Sequence, residues 1–364
     1  MNQEFMKRAL ELARKGWGKT NPNPLVGAVI VKDGDIVGEG AHEKLGSYHA
    51  EVNALHAAGD KAKDAEVYVT LEPCSHYGRT PPCAKTLIDA GVSKVIVAMK
   101  DPNPKVSGTG ISMLKEAGIE VAIGVMEKEA KELNEIFIKY ITQKLPFVIM
   151  KYAMTLDGKI AAYTGDSKWI TGSNARSYVH EIRDRAAAIM VGVNTVKADN
   201  PYLTARIEGK KTSDPVRIII DSKGTIPLDS NVLNMESEAH TIIATTELMP
   251  HAKEEQLIHK GAKVIRTTAR GSRVGLRELM SQLYHLEIDS ILLEGGGTLN
   301  ASALEAGIVD KALVFIAPKI IGGSEAPGPI GGKGVEKMEN AWEIYNANIR
   351  QFDQDILVEG YFRG

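Results

Sequence analysis

Short apolar, β-branched runs alternate with helix-patterned stretches along nearly the whole chain, and this alternation restricts the fold more than any other feature. In the first part, strand candidates lie at 25–32, 67–71, 94–98 and 120–124. Helical patterns fall between them at 50–58, 84–90 and 110–117, and a charged helical stretch at 128–142 closes the series. A second series of strand candidates follows at 147–153, 188–193, 216–221, 241–245, 263–265, 290–294, 311–317 and 356–361. Strands separated by helices in this way predict an α/β architecture with a mostly parallel sheet.

A chain of 364 residues is too long for one ordinary core, and about two domains are expected. The pattern breaks near Gln143–Pro146, where a proline cannot continue the preceding helix and biases Leu145 toward extended geometry. The expected units are therefore 1–144 and 145–364. Residues 322–334, rich in Gly and Pro, read as a surface loop or flap. The first residues form an amphipathic helical pattern that stops at Gly16, with no apolar core of a signal peptide behind it. No apolar stretch is long enough to span a bilayer, and two cysteines argue against a disulfide-stapled secreted protein, so a cytoplasmic location is expected. A net charge of −2, with no basic run longer than Lys210-Lys211, gives no footprint for nucleic acid.

The chemistry is concentrated in His49-Ala50-Glu51, Pro73-Cys74 and Cys83. A catalytic zinc takes about three protein ligands and keeps one position open for water, and imidazole and thiolate are suitable donors. One His and the two cysteines supply that count. Glu51 then serves as the proton carrier, taking a proton from water and passing it to a ring nitrogen and a departing amine. Zinc deaminases carry H-x-E followed by P-C-x-x-C; here eight residues separate the cysteines, adding His76 and Arg79 beside the site. Residues two apart do not share a helix face, so either His49 or Glu51 must sit at the helix entry turn. A purely structural zinc would need a fourth protein ligand, for which His76 or His42 is the candidate.

Around this constellation, residues 20–28 (TNPNPLVGA), His49-Ala50-Glu51 and residues 72–83 (EPCSHYGRTPPC) closely resemble the bifunctional riboflavin-biosynthesis deaminase/reductases. Residues 151–160 (KYAMTLDGKI), 165–171 (GDSKWIT), 191–201 (VGVNTVKADNP) and 294–297 (EGGG) are similar to that family's second domain, so the resemblance spans nearly the whole chain. It implies a cytidine-deaminase-like three-layer domain followed by a dihydrofolate-reductase-like domain. It implies deamination of 2,5-diamino-6-(5-phosphoribosylamino)pyrimidin-4-one, then hydride transfer from NADPH to ribose C1′, giving 5-amino-6-(5-phosphoribitylamino)uracil. A homo-oligomer is expected on the same ground. Asn23, His42, Arg79, Asp101 and Asn103 match its deaminase substrate contacts, with Arg79 near the ribose phosphate.

In the second domain no G-x-G-x-x-G follows a strand, and residues alone do not reveal a dinucleotide. They do show an apolar strand running into Gly295-Gly296-Gly297 and a helix, a turn whose bare backbone amides suit a phosphate. By resemblance the cofactor contacts are Ala153, Trp169, Thr195, Asp199, Ser222 and Gly296, Gly297, Thr298, Leu299, Asn300, Ala301, Ser302. The substrate contacts are Lys151, Ser167, Arg183, Leu203, Arg206 and Glu294, with Arg183 and Arg206 suited to a phosphate. Lys151 follows an apolar strand run, an unusual place for a solvated lysine. A polynucleotide deaminase, which needs a basic aromatic-lined groove, is disfavoured by the charge and by 5% aromatics. A zinc-stabilised binding protein without activity would have no use for Glu51.

Overall fold

The structure is a computed structural model that describes residues 2–76, 81–104 and 106–363. It divides into two compact units, Met1–Lys144 and Leu145–Gly364.

In unit 1 the strands are β1 (Gly27–Lys32), β2 (Asp35–Ala41), β3 (Glu66–Leu71), β4 (Lys94–Met99) and β5 (Glu120–Ile123). The helices are α1 (Gln3–Ala13), α2 (Ala50–Ala58), α3 (Cys83–Asp89), α4 (Thr109–Glu116), α5 (Glu127–Leu133) and α6 (Glu135–Gln143). The sheet runs β2-β1-β3-β4-β5. It is mixed rather than mostly parallel: β1 is antiparallel to both β2 and β3, and only β3, β4 and β5 run together. The missing element in the sequence reading is β2. It returns from β1 through Asp33-Gly34, both at positive φ, as a tight hairpin turn requires.

Glycines set how closely the helices approach. A Cβ on Gly27 would stand 2.0 Å from the Ala9 carbonyl of α1, and Cβ atoms on Gly38 and Gly40 would stand 2.4 and 2.2 Å from the Ala54 and Ala50 carbonyls of α2. Gly27 pairs with Ala41, the neighbour of Gly40, so the two contacts lie on opposite faces of the sheet. The unit is thus helix, sheet, helix, with Val29, Ile30, Val67, Val69, Ile96 and Val97 buried between the layers. The predicted helix at 128–142 is broken at Asn134. That buried amide accepts from Leu25 N–H at 2.8 Å and donates to Leu25 C=O at 3.0 Å, replacing a strand partner for the segment that leads into β1.

Unit 2 holds β6 (Phe147–Thr155), β7 (Ala188–Gly192), β8 (Val216–Ile220), β9 (Thr241–Thr245), β10 (Lys263–Arg266), β11 (Ser290–Leu293), β12 (Lys311–Ala317), β13 (Ile344–Phe352) and β14 (Asp355–Phe362). Its helices are α7 (Ser173–Arg185), α8 (Val193–Asp199), α9 (Asn231–Asn234), α10 (His251–His259), α11 (Leu276–Tyr284) and α12 (Gly297–Glu305). The nine-stranded sheet has the order β10-β9-β8-β7-β11-β6-β12-β14-β13. It is parallel from β10 to β12, and β14 and β13 add an antiparallel edge. Ile189, Met190, Ile291, Leu292 and Leu293 of the central strands are fully buried, as expected where helices cover both faces. Residues 322–334 contain no helix or strand; Gly331 N–H bonds Gly297 C=O at 2.9 Å and seats this segment on the start of α12. Among the described residues, no helix is long and apolar enough to cross a membrane.

Asn134→Ala removes both bonds to Leu25, whose N–H and C=O are half-buried. The expected cost is about 1–3 kcal/mol of stability, read as a lowered urea midpoint for unit 1.

Candidate active sites

His49 is the N-cap of α2, with extended backbone (φ −70°, ψ 162°), and Glu51 lies in the first turn. The cap position resolves the spacing problem, because His49 leaves the helix axis before Glu51 enters it. Cys74 follows β3 and Cys83 opens α3. Cys83 N–H donates to Cys74 Sγ at 3.2 Å. His49 Nδ1 lies 3.2 Å from Cys83 Sγ and 3.6 Å from Cys74 Sγ, and the three donor atoms lie within 4.8 Å of one another. A tetrahedral ion with bonds of about 2.0 Å to nitrogen and about 2.3 Å to sulfur has ligand–ligand edges of about 3.5–3.8 Å. The donor set and its spacing fit zinc. Among the described residues this trio gains no fourth His, Cys, Asp or Glu ligand. The ring nitrogens of His42, the alternative ligand, face Tyr48 C=O at 3.2 Å and Asn23 Nδ2 at 3.4 Å.

The electrostatics of the trio ask for a cation. A hydrogen bond from the Cys83 thiol, with His49 and the Cys83 amide adding to it, lowers the Cys74 thiol to about 4. The same bond and burial push Cys83 the other way. Two thiolates this close repel, and one keeps its proton until a positive ion sits between them. His49 is raised, chiefly by its bond to Cys74. Glu51 is 3% exposed, and burial, then the charge of Cys74, pushes its carboxyl up to about 7.

Asn23 and His42 stand beside the trio, with the His42 ring edge-on to His49 at a centroid distance of 5.3 Å. Burial lowers the pKa of His42 and favours the neutral ring. Asp101 accepts from Asn103 N–H at 2.8 Å; burial raises its carboxyl, and the charges of Glu72 and Cys74 raise it further. Arg79 lies outside the described residues. Glu72 had no role in the sequence reading, yet its buried carboxylate organises this wall. It accepts from the backbone N–H groups of Asp101 (3.2 Å), Gly108 (3.0 Å) and Ile111 (3.2 Å), tying these three positions to the strand end that leads to Cys74. Glutamate just before Pro-Cys, at a strand end, was the available signal.

In unit 2, Arg183 of α7 holds Glu294, just beyond β11, through both oxygens, Nε–Oε1 at 2.8 Å and Nη2–Oε2 at 2.7 Å. This ion pair was not foreseen; it occupies the guanidinium edge that had been assigned to a phosphate. A third bond, to Thr204 C=O at 3.2 Å, ties the 203–206 segment to α7, and Arg206 N–H donates to His180 Nδ1 at 3.2 Å. Buried Leu203 in that segment adopts φ +55°. Lys151 of β6 completes the cluster. Burial pushes its ammonium below the usual value, with Glu294 opposing and Arg183 adding to the shift. Burial raises Glu294, but Arg183 and then Lys151 outweigh it and hold the carboxyl at about 2. Ser167 and Trp169 lie between β6 and α7. The Trp169 ring, 63% exposed, sits under the Arg176 guanidinium at 4.6 Å. No hydrogen bond or ion pair joins them to Lys151 among the described residues.

Next to this cluster a cavity of about 380 Å³ opens at the carboxyl ends of β7, β8 and β11. Its lining includes Thr195, Ser222, Gly296, Gly297, Thr298, Leu299 and Ser302. The chain leaves β7 toward β8 on one side, whereas α12 leads from β11 to β12 on the other, so the cavity lies at a topological switch point. Gly296 is the N-cap of α12, and no side chain caps it, which leaves the first amides of the helix to a ligand. Asn300 and Ala301 are buried within α12 and do not line the cavity; Asn300 Nδ2 instead bonds Pro329 C=O at 3.0 Å. Ala153, Trp169 and Asp199 also fall outside the lining.

Residues 1–99 match the cytidine and deoxycytidylate deaminase zinc-binding region, and residues 146–358 match the RibD C-terminal domain. The riboflavin biosynthesis protein RibD of Actinobacillus pleuropneumoniae is 48% identical over 98% of this chain and 94% of its own. That of Aquifex aeolicus is 46% identical over 98% of both. The chain belongs to the RibD family. Among solved structures, Acinetobacter baumannii RibD superposes with a TM-score of 0.89 at 39% identity, covering 100% of this chain and 99% of that one. A diaminohydroxyphosphoribosylaminopyrimidine deaminase/5-amino-6-(5-phosphoribosylamino)uracil reductase from Thermotoga maritima gives 0.86 at 39% identity, over 99% and 98% of the two chains. Like other RibD proteins, the chain is a bifunctional riboflavin-biosynthesis enzyme, with a zinc-binding deaminase region followed by a reductase region.

In this RibD chain, Glu294→Gln leaves Lys151 and Arg183 without their shared anion. The expected loss is about 3–5 kcal/mol near neutral pH. A depressed carboxyl contributes stability above its unfolded pKa and loses it as pH falls through the folded value. The gap between parent and variant, measured by urea unfolding, should therefore close as pH falls from about 4.5 toward about 2.

Proposed function

We propose that unit 1 converts 2,5-diamino-6-(5-phosphoribosylamino)pyrimidin-4-one to the corresponding uracil, and that unit 2 reduces the product's ribosyl group to ribityl with NADPH. The observation that carries the first half is a buried carboxyl, Glu51, beside a three-donor zinc site to which it contributes no ligand. His49, Cys74 and Cys83 would hold the metal. The chemistry zinc supplies there is the acidification of water toward a pKa of about 7. Glu51 takes one proton from the attacking water and gives it to the ring nitrogen, then carries the proton of the newly added hydroxyl to the departing amine, so that ammonia leaves as the carbonyl forms. Neutral His42 and Asn23 present hydrogen-bonding groups to the pyrimidine edge, Asp101 and Asn103 form the wall that Glu72 fixes, and Arg79 takes the phosphate.

In unit 2 the α12 amides and Thr195, Ser222 and Ser302 hold NADPH, which supplies the hydride. Asn300 and Ala301 shape the turn from behind, and Ala153, Trp169 and Asp199 contribute outside the cavity. Lys151, Arg183 and Glu294 fix the ribosyl chain, with Ser167, Leu203 and Arg206 at its phosphate end. The C1′–O4′ bond of the sugar opens first, O4′ taking the amine's proton and leaving a C1′=N imine; C1′ then gains the hydride and the nitrogen gains one proton, giving the ribityl amine. Cysteine ligands suit a reducing compartment, and we place the enzyme in the cytoplasm. The bare edge of β13, where Ile349 is 68% exposed, is suited to pairing with a second copy in a homo-oligomer.

The test supplies the phosphoribosylamino-pyrimidine and follows ammonia release and NADPH oxidation in one vessel. Both should appear, ammonia first. Glu51→Gln should lower ammonia release by about 100-fold or more while the metal content, read by mass spectrometry, stays at that of the parent. Loss of metal in that variant would make Glu51 a ligand instead. Ammonia without NADPH consumption would remove the reductase half.

A further inference from the structure

Helix α7 holds the loop between α8 and β8 at several points, and one of them is a titratable group that the reaction does not use. The loop turns at Leu203 and doubles back through a short bridge between Ile207 and Lys210. On one side Arg183 donates to Thr204 C=O at 3.2 Å. On the other, buried Asp184 accepts from Ser213 N–H at 3.0 Å and from Lys210 Nζ at 2.5 Å. The loop also closes on itself: Asp214 accepts from Ala205 N–H at 3.3 Å, and Thr212 Oγ1 donates to Ala205 C=O at 2.8 Å. At Arg206 the anchor is His180, whose Nδ1 accepts the Arg206 N–H at 3.2 Å. Residues 180, 183 and 184 are three and four apart and so share one face of α7.

The His180 bond requires one protonation state. An imidazole nitrogen accepts only while it carries no proton, so Nδ1 is bare in this arrangement. The charged groups that face the ring are Arg183 on its own helix, Arg206 in the loop and Glu294 beyond β11. Burial lowers the pKa of His180, both arginines lower it further, and Glu294 and the Thr204 backbone oppose them. The accepting form is therefore the one favoured at neutral pH. Because Arg183 and Asp184 hold the loop on either side, loss of the His180 bond releases the Arg206 backbone and not the loop as a whole. We infer that His180 is a positioning residue of the reductase, which holds the Arg206 backbone so that the exposed guanidinium meets the phosphate of the substrate. This rests on the phosphate role given to Arg206 above, and it adds a residue that touches neither substrate nor cofactor.

The experiment follows NADPH oxidation by the full chain with 5-amino-6-(5-phosphoribosylamino)uracil, and its inhibition by the ribityl product and by the dephosphorylated form of that product. The parent is compared with His180→Ala and His180→Asn. In the parent the phosphorylated inhibitor should bind at least about 10-fold more tightly, as charge-assisted bonds to one phosphate allow. His180→Ala should raise KM about 3- to 10-fold, the range for one lost hydrogen bond, with little change in kcat, and should weaken the phosphorylated inhibitor alone. Asparagine puts an amide oxygen in the place of Nδ1, an acceptor that does not titrate, and should restore the parent's KM at neutral pH. The ratio of the parent's KM to that of His180→Asn should climb as pH falls below about 6.5, because only the parent can protonate there; titration of the substrate phosphate is common to both and cancels. An alanine variant with the parent's KM, one that weakens both inhibitors equally, or a KM ratio that stays flat with pH overturns the assignment. Should His180→Ala fail to fold, the asparagine comparison decides alone. A parent that binds the two inhibitors equally overturns the phosphate role of Arg206, and this inference with it.

Discussion

Close approach of α2 to β2, which a side chain at Gly38 or Gly40 would block, is the constraint on which unit 1 depends. It brings the start of α2 against the sheet and so delivers His49 and Glu51 to one point in space. The opposite side of that point is built by β3, whose end releases Cys74, and by α3, whose first residue is Cys83. Each donor thus sits at the terminus of a regular element, where direction is set by backbone geometry and not by a long flexible side chain. Gly110 serves the same end: a Cβ there would meet the Pro73 carbonyl at 2.0 Å. Glu72 then joins Asp101, Gly108 and Ile111 to the base of the Cys74 turn, so the donor trio and these backbone positions share one support.

Unit 2 solves a related problem with charge. An anion between two cations on three different elements, β6, α7 and the end of β11, fixes the relative positions of those elements more specifically than apolar packing does. The desolvation cost is large, but the bidentate geometry satisfies both carboxylate oxygens, the condition under which a buried pair is tolerated. Lys151 remains the under-satisfied member, with Glu294 as its counter-charge and the Phe315 ring at 5.9 Å. A cation held this way is poised to interact with an incoming polar ligand.

Much of this was legible in the sequence. The central strands were, because burial on both faces leaves uninterrupted apolar runs such as Ile291-Leu292-Leu293. The convergence of His49, Cys74 and Cys83 was, because metal chemistry admits few residue types. β2 was not: Gly38 and Gly40 remove side chains from the alternating pattern, and only Asp33-Gly34 marks the hairpin. β13 was hidden because an exposed edge strand carries Asn346, Asn348, Arg350 and Gln351 rather than apolar residues. The break at Asn134 was hidden because its cause, Leu25, lies 109 residues away. The Arg183–Glu294 pair was missed for the same reason: its partners are 111 residues apart.

Net charge illustrates the difference between a global and a local quantity. A formal charge of −2 argues against a polyanion spread over the surface. It carries no information about a single phosphate, because one phosphate is read within a few ångströms, where two or three fixed donors outweigh the rest of the molecule. The relevant arithmetic is which acids are already engaged. Asp221 is hydrogen-bonded by Thr225 and Ile226, and Glu294 is paired with Arg183, so both acids are already engaged within the fold. The other charged residues that line the unit 2 cavity, Lys223 and Arg273, are cationic, and an acidic chain can therefore present a site suited to a phosphorylated ligand.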